Sequence, residues 1–478
     1  MSGSRPAAVV PRSSLVEEMA GGALGDHRLH QRRDRVMAVL EQHPDTAFPE
    51  ACADDAEVEA LYRFLRNRRV SLPALLEPHV VATQARCRAV GEVLVIHDTT
   101  DMVFAGEAAR PGLAALGRGR QGFWVHAALA VSADGLRAPL GVLSLIPFVR
   151  KIQAPGTRKD ERARFEDPDK ESRCWSDGVA TVRTRCGTET QAIHVMDRGA
   201  DSYELFAAMI AQGDRFVVRL THDRRVVTEA GPGMLDDVTA RAAVLCEQQV
   251  TIAPRRTGNR PLQARTKHPA RDGRVATLQY AVQRVVLQRP QPRQYAQLPT
   301  TLAVHVVAVR EIATPPGEEP VEWRLITTDP IETVDQVLRI VEWYRTRWLI
   351  EEFFKALKTG CAYEKRQLES LATLLVALGL LAPIAWHLLL LRHLARLAPD
   401  GMATTILSRR QLQVLHAAPP GARLGPMPTL QDALLAIARL GGHLKQNGDP
   451  GWLVLGRGMQ KLLWMERGWA AAEHARSM

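Results

Sequence analysis

The chain has few cysteines and nowhere pairs them. Its six, Cys52, Cys87, Cys174, Cys186, Cys246 and Cys361, are scattered over 478 residues without a Cys-x-x-Cys pair. That pattern excludes a zinc knuckle or a disulfide framework as the organising device, and a reducing cytosol is the expected location. The first residues, MSGSRPAAVVPRSS, lack the long apolar core of a signal peptide, so secretion is not expected. Acidic residues are the minority charge: 52 Asp and Glu face 62 Lys and Arg, for a net charge of +10 and a pI near 9.6. Such a balance favours polyanionic partners without choosing among DNA, RNA and anionic lipid. Charge is absent altogether from Leu371 to Leu391, LATLLVALGLLAPIAWHLLLL, about the 20 residues that cross a bilayer. A membrane span and a buried core helix or helix pair both fit that length. Pro383 and His387 inside the run, the lack of a second run and the polar sequence elsewhere favour the buried core, with no membrane partner.

The length calls for two or three domains. Residues 14 to 67 read as short helices, in which LYRFLRNRR sets Leu61, Phe64 and Leu65 at helical spacing and leaves Arg63, Arg66, Arg68 and Arg69 for a basic face or a solvated helix end. The period then changes. EVLVIHD reads as a short buried strand that delivers Asp98 at its tip, followed by strands in FWVHAALAVSA and PLGVLSLIPFV and a polar loop from Arg150 to Arg173. QAIHVMDRGAD repeats the first pattern, with Asp197 at the end of an apolar run and a helix expected from Ser202 to Ala211. From Arg219 to Trp323 alternation dominates, with Arg255, Arg256, Arg260, Arg265, Lys267, Arg271 and Arg274 on a basic protrusion. From Ile331 the pattern is helical, broken by a Pro/Gly-rich segment from Pro419 to Pro428.

A helix expected over Val341 to Lys358 carries Tyr344, Arg347, Glu351 and Lys358 within roughly 60° of one another, with Glu352 roughly 80° from Tyr344. An Arg347–Glu351 salt bridge on a solvated helix would explain part of this pattern. Joined with two aspartates at strand ends, Glu351 instead suggests a set of three carboxylates. Three such groups at one point are costly unless cations neutralise them, and hard oxygen ligands select Mg2+ or Mn2+. Two ions can serve the attacking and leaving oxygens of an in-line phosphoryl displacement.

These residues resemble the DDE transposases of bacterial insertion sequences, in the subgroup marked by Tyr-x2-Arg-x3-Glu-x6-Lys. The resemblance also rests on IHDTTD around Asp98, QGFWVH at Gln121, DKES at Asp169, VMDRGAD around Asp197, RFVVR at Arg215, WLIEEFFKALK at Trp348, LGDHR at Leu24, YRFLRN at Tyr62 and IARLGG at Ile437. It spans nearly the whole chain. Phe354, Leu357 and Leu349 depart from it, standing where a relative has histidine, tryptophan and arginine.

The resemblance implies an α/β fold: an RNase H-like catalytic core over 73–395 with an antiparallel β insertion at about 220–325. An N-terminal helical DNA-binding domain at 1–72 and a C-terminal helical dimerisation domain at 396–478 would flank it. It implies that Asp98, Asp197 and Glu351 are catalytic and hold Mg2+ or Mn2+, as two ions. Tyr344, Arg347, Lys358, Arg219, Lys355 and Trp348 would contact DNA, and Trp323 would stack on a flipped base. The expected reaction is nicking of transposon ends, hairpin formation and opening, and strand transfer into target DNA, by a homodimer in the cytoplasm acting on chromosome or plasmids. A catalytically silent DNA-binding regulator and a non-transposing metal nuclease are the alternatives.

Overall fold

The computed structural model describes residues 18–19, 24–42, 52, 54–106, 108–117, 119–149, 172–254, 270–292, 295–444 and 449–477. The basic residues Arg255 to Lys267, most of the loop from 150 to 173 and the DKES motif up to Glu171 lie outside them. The chain forms two compact units, one of Met1–Lys159, Asp177–Ala192 and Trp348–Met478, the other of Asp160–Ser176 and Ile193–Arg347.

The first unit opens with helices α1 (His27–Gln42) and α2 (Asp55–Leu65). Asp54 caps α2 by accepting the Glu57 N–H at 2.7 Å, while Leu61, Phe64 and Leu65 are buried and Arg63 is exposed. Helix α3 (Leu72–Val90) starts at the Ser71 cap and stops at Gly91, whose φ of 84° suits glycine. Strands β1 (Glu92–Ala105), β2 (Ala114–Gly117), β3 (Arg120–Ser132) and β4 (Pro139–Phe148) follow. β3 pairs antiparallel with β1, β2 and β4. A Cβ at Gly122, in QGFWVH, would lie 2.0 Å from the Met102 carbonyl oxygen, so only glycine admits this close pairing. Helix α4 (Arg173–Cys186) comes next.

In the second unit β5 (Gln191–Met196) runs parallel to β6 (Arg215–Arg219), with α5 (Tyr203–Ala211) between them in sequence. The expected β-rich stretch is an antiparallel array of β7 (Arg225–Thr228), β8 (Gly231–Met234), β9 (Val244–Ile252), β10 (Arg274–Gln288), β11 (Thr301–Ile312) and β12 (Glu322–Thr327), with the short helix α6 (Leu235–Arg241) between β8 and β9. β12 returns to pair with β6, Leu325 opposite Arg219. Helix α7 (Val334–Thr346), opened by a Thr333–Gln336 capping box, packs on β6 and β11.

The remaining helices belong to the first unit: α8 (Trp348–Lys355), α9 (Leu371–Leu397), α10 (Arg409–His416), α11 (Leu430–Leu440) and α12 (Trp452–Ser477). The charge-free run is α9, one helix that continues through Pro383 and packs on α3 and β4. It is long and apolar enough to cross a membrane, yet 89% of its most apolar stretch is buried within the protein. Its Trp386 donates Nε1–H to the Pro139 carbonyl at 3.0 Å, and Arg86 lies over the indole at 4.4 Å. Arg86 also pairs with Glu18 at 2.7 Å, and His79 meets Glu18 at 2.6 Å. This polar group is almost wholly buried.

Candidate active site

Asp98 sits in the middle of β1 and not at its tip, because β1 stays paired with β3 from Val93↔Ser132 to Ala105↔Arg120. The apolar run ends at Ile96, but the following threonines suit a strand as well as valine does, so the ladder continues past the carboxylate. Asp98 is half-buried and its Oδ1 accepts the Thr99 N–H at 2.7 Å. Behind it, His97 and His126 are fully buried and 3.3 Å apart, and Thr99 Oγ1 meets His126 at 2.9 Å. Burial pushes His126 down to about 3, so the ring is neutral.

Helix α8 packs on β1 and carries half-buried Glu351. Its neighbour Glu352 is committed elsewhere, to Lys355 at 2.9 Å and Arg392 at 3.6 Å. The Lys355 ammonium also lies 4.8 Å from the Trp348 ring, which is 55% exposed. Lys358 falls in a π-turn, Ala356–Gly360, closed by the Cys361 N–H donating to the Ala356 carbonyl at 2.8 Å. The wider turn breaks the 100° step, so the expected alignment of Lys358 with Glu351 by α-helical phase does not hold. Its ammonium instead stands 3.1 Å from Asp101 and 3.4 Å from Glu364.

In the second unit Asp197 follows β5 and caps a short 3-10 turn, Arg198–Ala200, accepting the Gly199 N–H at 2.7 Å. A Cβ on Gly199 would meet Trp175 at 2.9 Å and the Asp197 carboxylate at 3.0 Å, which explains the glycine in VMDRGAD. Asp201, in the same motif, pairs with Arg224 at 2.5 Å and accepts the Thr221 and His222 N–H groups, tying the turn to the chain beyond β6.

Tyr344 on α7 is buried and meets Trp323 of β12 edge-on at 5.5 Å. Burial raises its pKa, while Arg219, which hydrogen-bonds the phenol, and Arg347 pull it down and Asp197 pushes it up. The phenol therefore stays protonated at neutral pH and can donate. Arg219 also donates to the Glu322 carbonyl at 3.1 Å. One unit thus brings together Asp197, Tyr344, Arg219, Arg347 and Trp323; Asp98, Glu351, Lys358, Lys355 and Trp348 belong to the other. The single helix expected over Val341 to Lys358 is two helices and a π-turn: α7 ends at Thr346, Arg347 caps it with φ −49° and ψ −30°, and its N–H donates to the Tyr344 carbonyl at 3.0 Å.

Sequence reasoning missed Asp101, Glu364 and His126. Asp101 was visible within IHDTTD, whereas Glu364 carried no signal. At the start of the first unit, α1 and α2 border a groove of about 500 Å3 lined by Arg28, Arg32, Arg35 and Arg63 together with Asp54 and Glu57, with Arg35 paired to Glu57 at 2.9 Å; arginines outnumber acids there, and a net positive lining suits a phosphate backbone.

Two segments of the chain match family models. Residues 11–70 match the model described as transposase DNA-binding, and residues 175–386 match the transposase DDE domain. The chain carries both domains of a DDE transposase. The arginine-lined groove lies in the DNA-binding domain of this transposase, and Asp197 and Glu351 lie in its DDE domain; Asp98 precedes the matched segment. Among solved structures the chain is similar to one described as "Cryo-EM structure of piggyBac transposase synaptic complex with hairpin DNA (SNHP)". That match has 9% identity and a TM-score of 0.33, and covers 80% of this chain and 74% of the other.

The donor set of Asp98, Asp197 and Glu351 is all carboxylate, the hard oxygen chemistry that suits Mg2+ or Mn2+. Among the described residues no group of three or more His, Cys, Asp or Glu stands where one ion would be shared. The donors fit such an ion by chemistry.

Proposed function

We propose that this transposase works by cut-and-paste, in the Tyr-Arg-Glu-Lys subgroup that includes the transposon-five transposase. The observation that carries this reading is the cluster of Tyr344, Arg219 and Arg347 beside Asp197. A protonated phenol and two guanidinium groups beside a carboxylate can orient a scissile phosphate and stabilise the charge that builds on it. Two divalent ions held by Asp98, Asp197 and Glu351 would supply activation of the attacking oxygen and stabilisation of the leaving oxygen.

The chain's own residues bind and orient. Arg347 and Arg219 grip phosphate oxygens, Tyr344 donates its hydroxyl hydrogen, and Lys358, Lys355 and Trp348 contact DNA from the other unit. Trp323 replaces the stacking that a base loses on leaving the duplex. The order of steps is nicking to leave a 3′-OH, attack on the opposite strand to give a hairpin, opening, and strand transfer to target DNA. The core is RNase H-like, supported by the antiparallel β1, β3 and β4 and by parallel β5 and β6. Residues 1–72 bind transposon ends, 73–395 cut, and 396–478 dimerise, in the cytoplasm.

The test is incubation of a labelled transposon-end duplex with Mg2+ and either the natural chain or Asp197→Ala. A nick, then a hairpin, then end-to-target joined products are expected only from the natural chain. Equal cleavage by Asp197→Ala would remove the proposed site, and hydrolysis without joined products would leave a metal nuclease.

A further inference from the structure

Lys358 is surrounded by opposite charge. Its ammonium contacts Asp101 Oδ1 at 3.1 Å and Glu364 Oε1 at 3.4 Å, so two carboxylates share one cation. The two are held differently. Glu364 is 30% exposed, and its Oε1 also accepts the Val103 N–H of β1 at 3.0 Å, which fixes the carboxylate to the strand. Asp101 is 50% exposed. A phosphate that approaches Lys358 with both carboxylates in place meets a local charge of the wrong sign.

We propose that Asp101 occupies the phosphate position at Lys358 in the DNA-free protein and is displaced by DNA, while Glu364 is the positioning residue that aims the ammonium. This rests on the reading of Lys358 as a phosphate contact. An exposed Lys–Asp pair contributes little, and a charge-assisted bond to phosphate is stronger, so the exchange runs toward DNA. The arrangement sets a threshold: Lys358 engages only a phosphate placed well enough to outcompete Asp101. Docking then frees a carboxylate that takes up a cation, cancelling about one of the counterions released by the Lys358 contact.

Binding is measured by fluorescence anisotropy without divalent metal, using a duplex of the terminal inverted repeat read from the DNA flanking the gene, over a salt series. The proteins are the natural chain, Asp101→Asn, Glu364→Gln, Lys358→Gln and Asp101→Asn with Lys358→Gln. We expect Asp101→Asn to tighten binding by about two- to five-fold and to steepen the dependence of log Kd on log salt by about 1. Both effects vanish when Lys358 is Gln. Glu364→Gln, although it also removes a negative charge, weakens binding because the ammonium loses its support. Equal tightening by Asp101→Asn in both lysine backgrounds would mean general electrostatics and overturn the proposal, as would tightening by Glu364→Gln. If Lys358→Gln alone leaves affinity and salt slope unchanged, the reading of Lys358 as a phosphate contact fails and the proposal falls with it. If Lys358→Gln weakens binding while Asp101→Asn is silent, only the displacement fails.

Discussion

The Trp323 indole meets the Tyr344 ring edge-on, with centroids 5.5 Å apart and planes at 65°. Tyr344 is in turn hydrogen-bonded by Arg219, so the indole is braced by the residues proposed to hold phosphate. Loss of the indole in Trp323→Ala should therefore spare nicking and slow the hairpin step by about 5- to 150-fold, the equivalent of 1 to 3 kcal/mol of base stacking. An end duplex lacking the flipped base should recover most of that loss. Gel-resolved single-turnover kinetics separate the steps, and an equal fall in nicking and hairpin formation would show a merely structural indole.

Glu351 and Glu352 are adjacent, and replacing each should have opposite effects. Glu351→Gln should lower cleavage about a thousand-fold or more, as expected when several kcal/mol of charge stabilisation are lost. Glu352→Gln should keep cleavage within a few-fold while lowering stability by about 1 kcal/mol, because Glu352 serves Lys355 and Arg392. Cleavage assays paired with urea melts decide; strong loss of cleavage from Glu352→Gln with Glu351→Gln intact would reverse the assignment.

Acid sensitivity follows from Glu18. Burial pushes its carboxyl up, but the hydrogen bond from His79 and the Arg86 guanidinium outweigh that and hold it at about 2. The Val142 N–H donates to His79 Nε2 at 3.0 Å, so that nitrogen carries no proton and His79 is a neutral ring donating Nδ1–H to Glu18. Burial accordingly lowers the His79 pKa. A depressed acid stabilises fully above its ordinary 4.5 and loses the contribution as pH falls through the lowered value. Glu18→Gln should lower Tm at pH 7 and flatten the fall in Tm between pH 4.5 and 2. An unchanged acid limb in thermal melts would show that Glu18 is not the group titrating.

The tight turn after Asp197 predicts the outcome of Gly199→Ala. The added methyl would press on Trp175 and on the Asp197 carboxylate, costing about 1 to 3 kcal/mol of stability. Displacing the carboxylate should reduce cleavage about 10- to 100-fold, by the rate sensitivity of a misplaced catalytic group. Melting and single-turnover cleavage measured together test this; native stability and native rate would show that the turn yields.

Legibility in the sequence followed the range of the interactions. Asp197 could be read because an apolar strand, an aspartate and a glycine lie within a few residues, and the start of α5 directly after Ser202 is equally local. The charge-free run was legible as a core helix through Pro383 and His387. The mid-strand place of Asp98 was not, since His97 and Asp98 end the apolar run without ending the strand, which continues through Thr99 and Thr100. Nor was the joint at Arg347, where the dihedrals stay helical and only the hydrogen bond changes. Partners distant in sequence were silent: Lys358 meets Asp101 across 257 residues, and Arg86 meets Glu18 across 68.

The π-turn at Ala356–Gly360 has a consequence for how such signatures are recognised. A motif that counts residues, Glu-x6-Lys, records distance along the chain, whereas a helical wheel records angle, and one widened turn makes the two disagree. Deleting a single residue between Ala356 and Gly360 would restore an ordinary helix and bring every later residue forward by about 100°. Lys358 would lose its station beside Asp101 and Glu364, although every chemical group of the signature was still present.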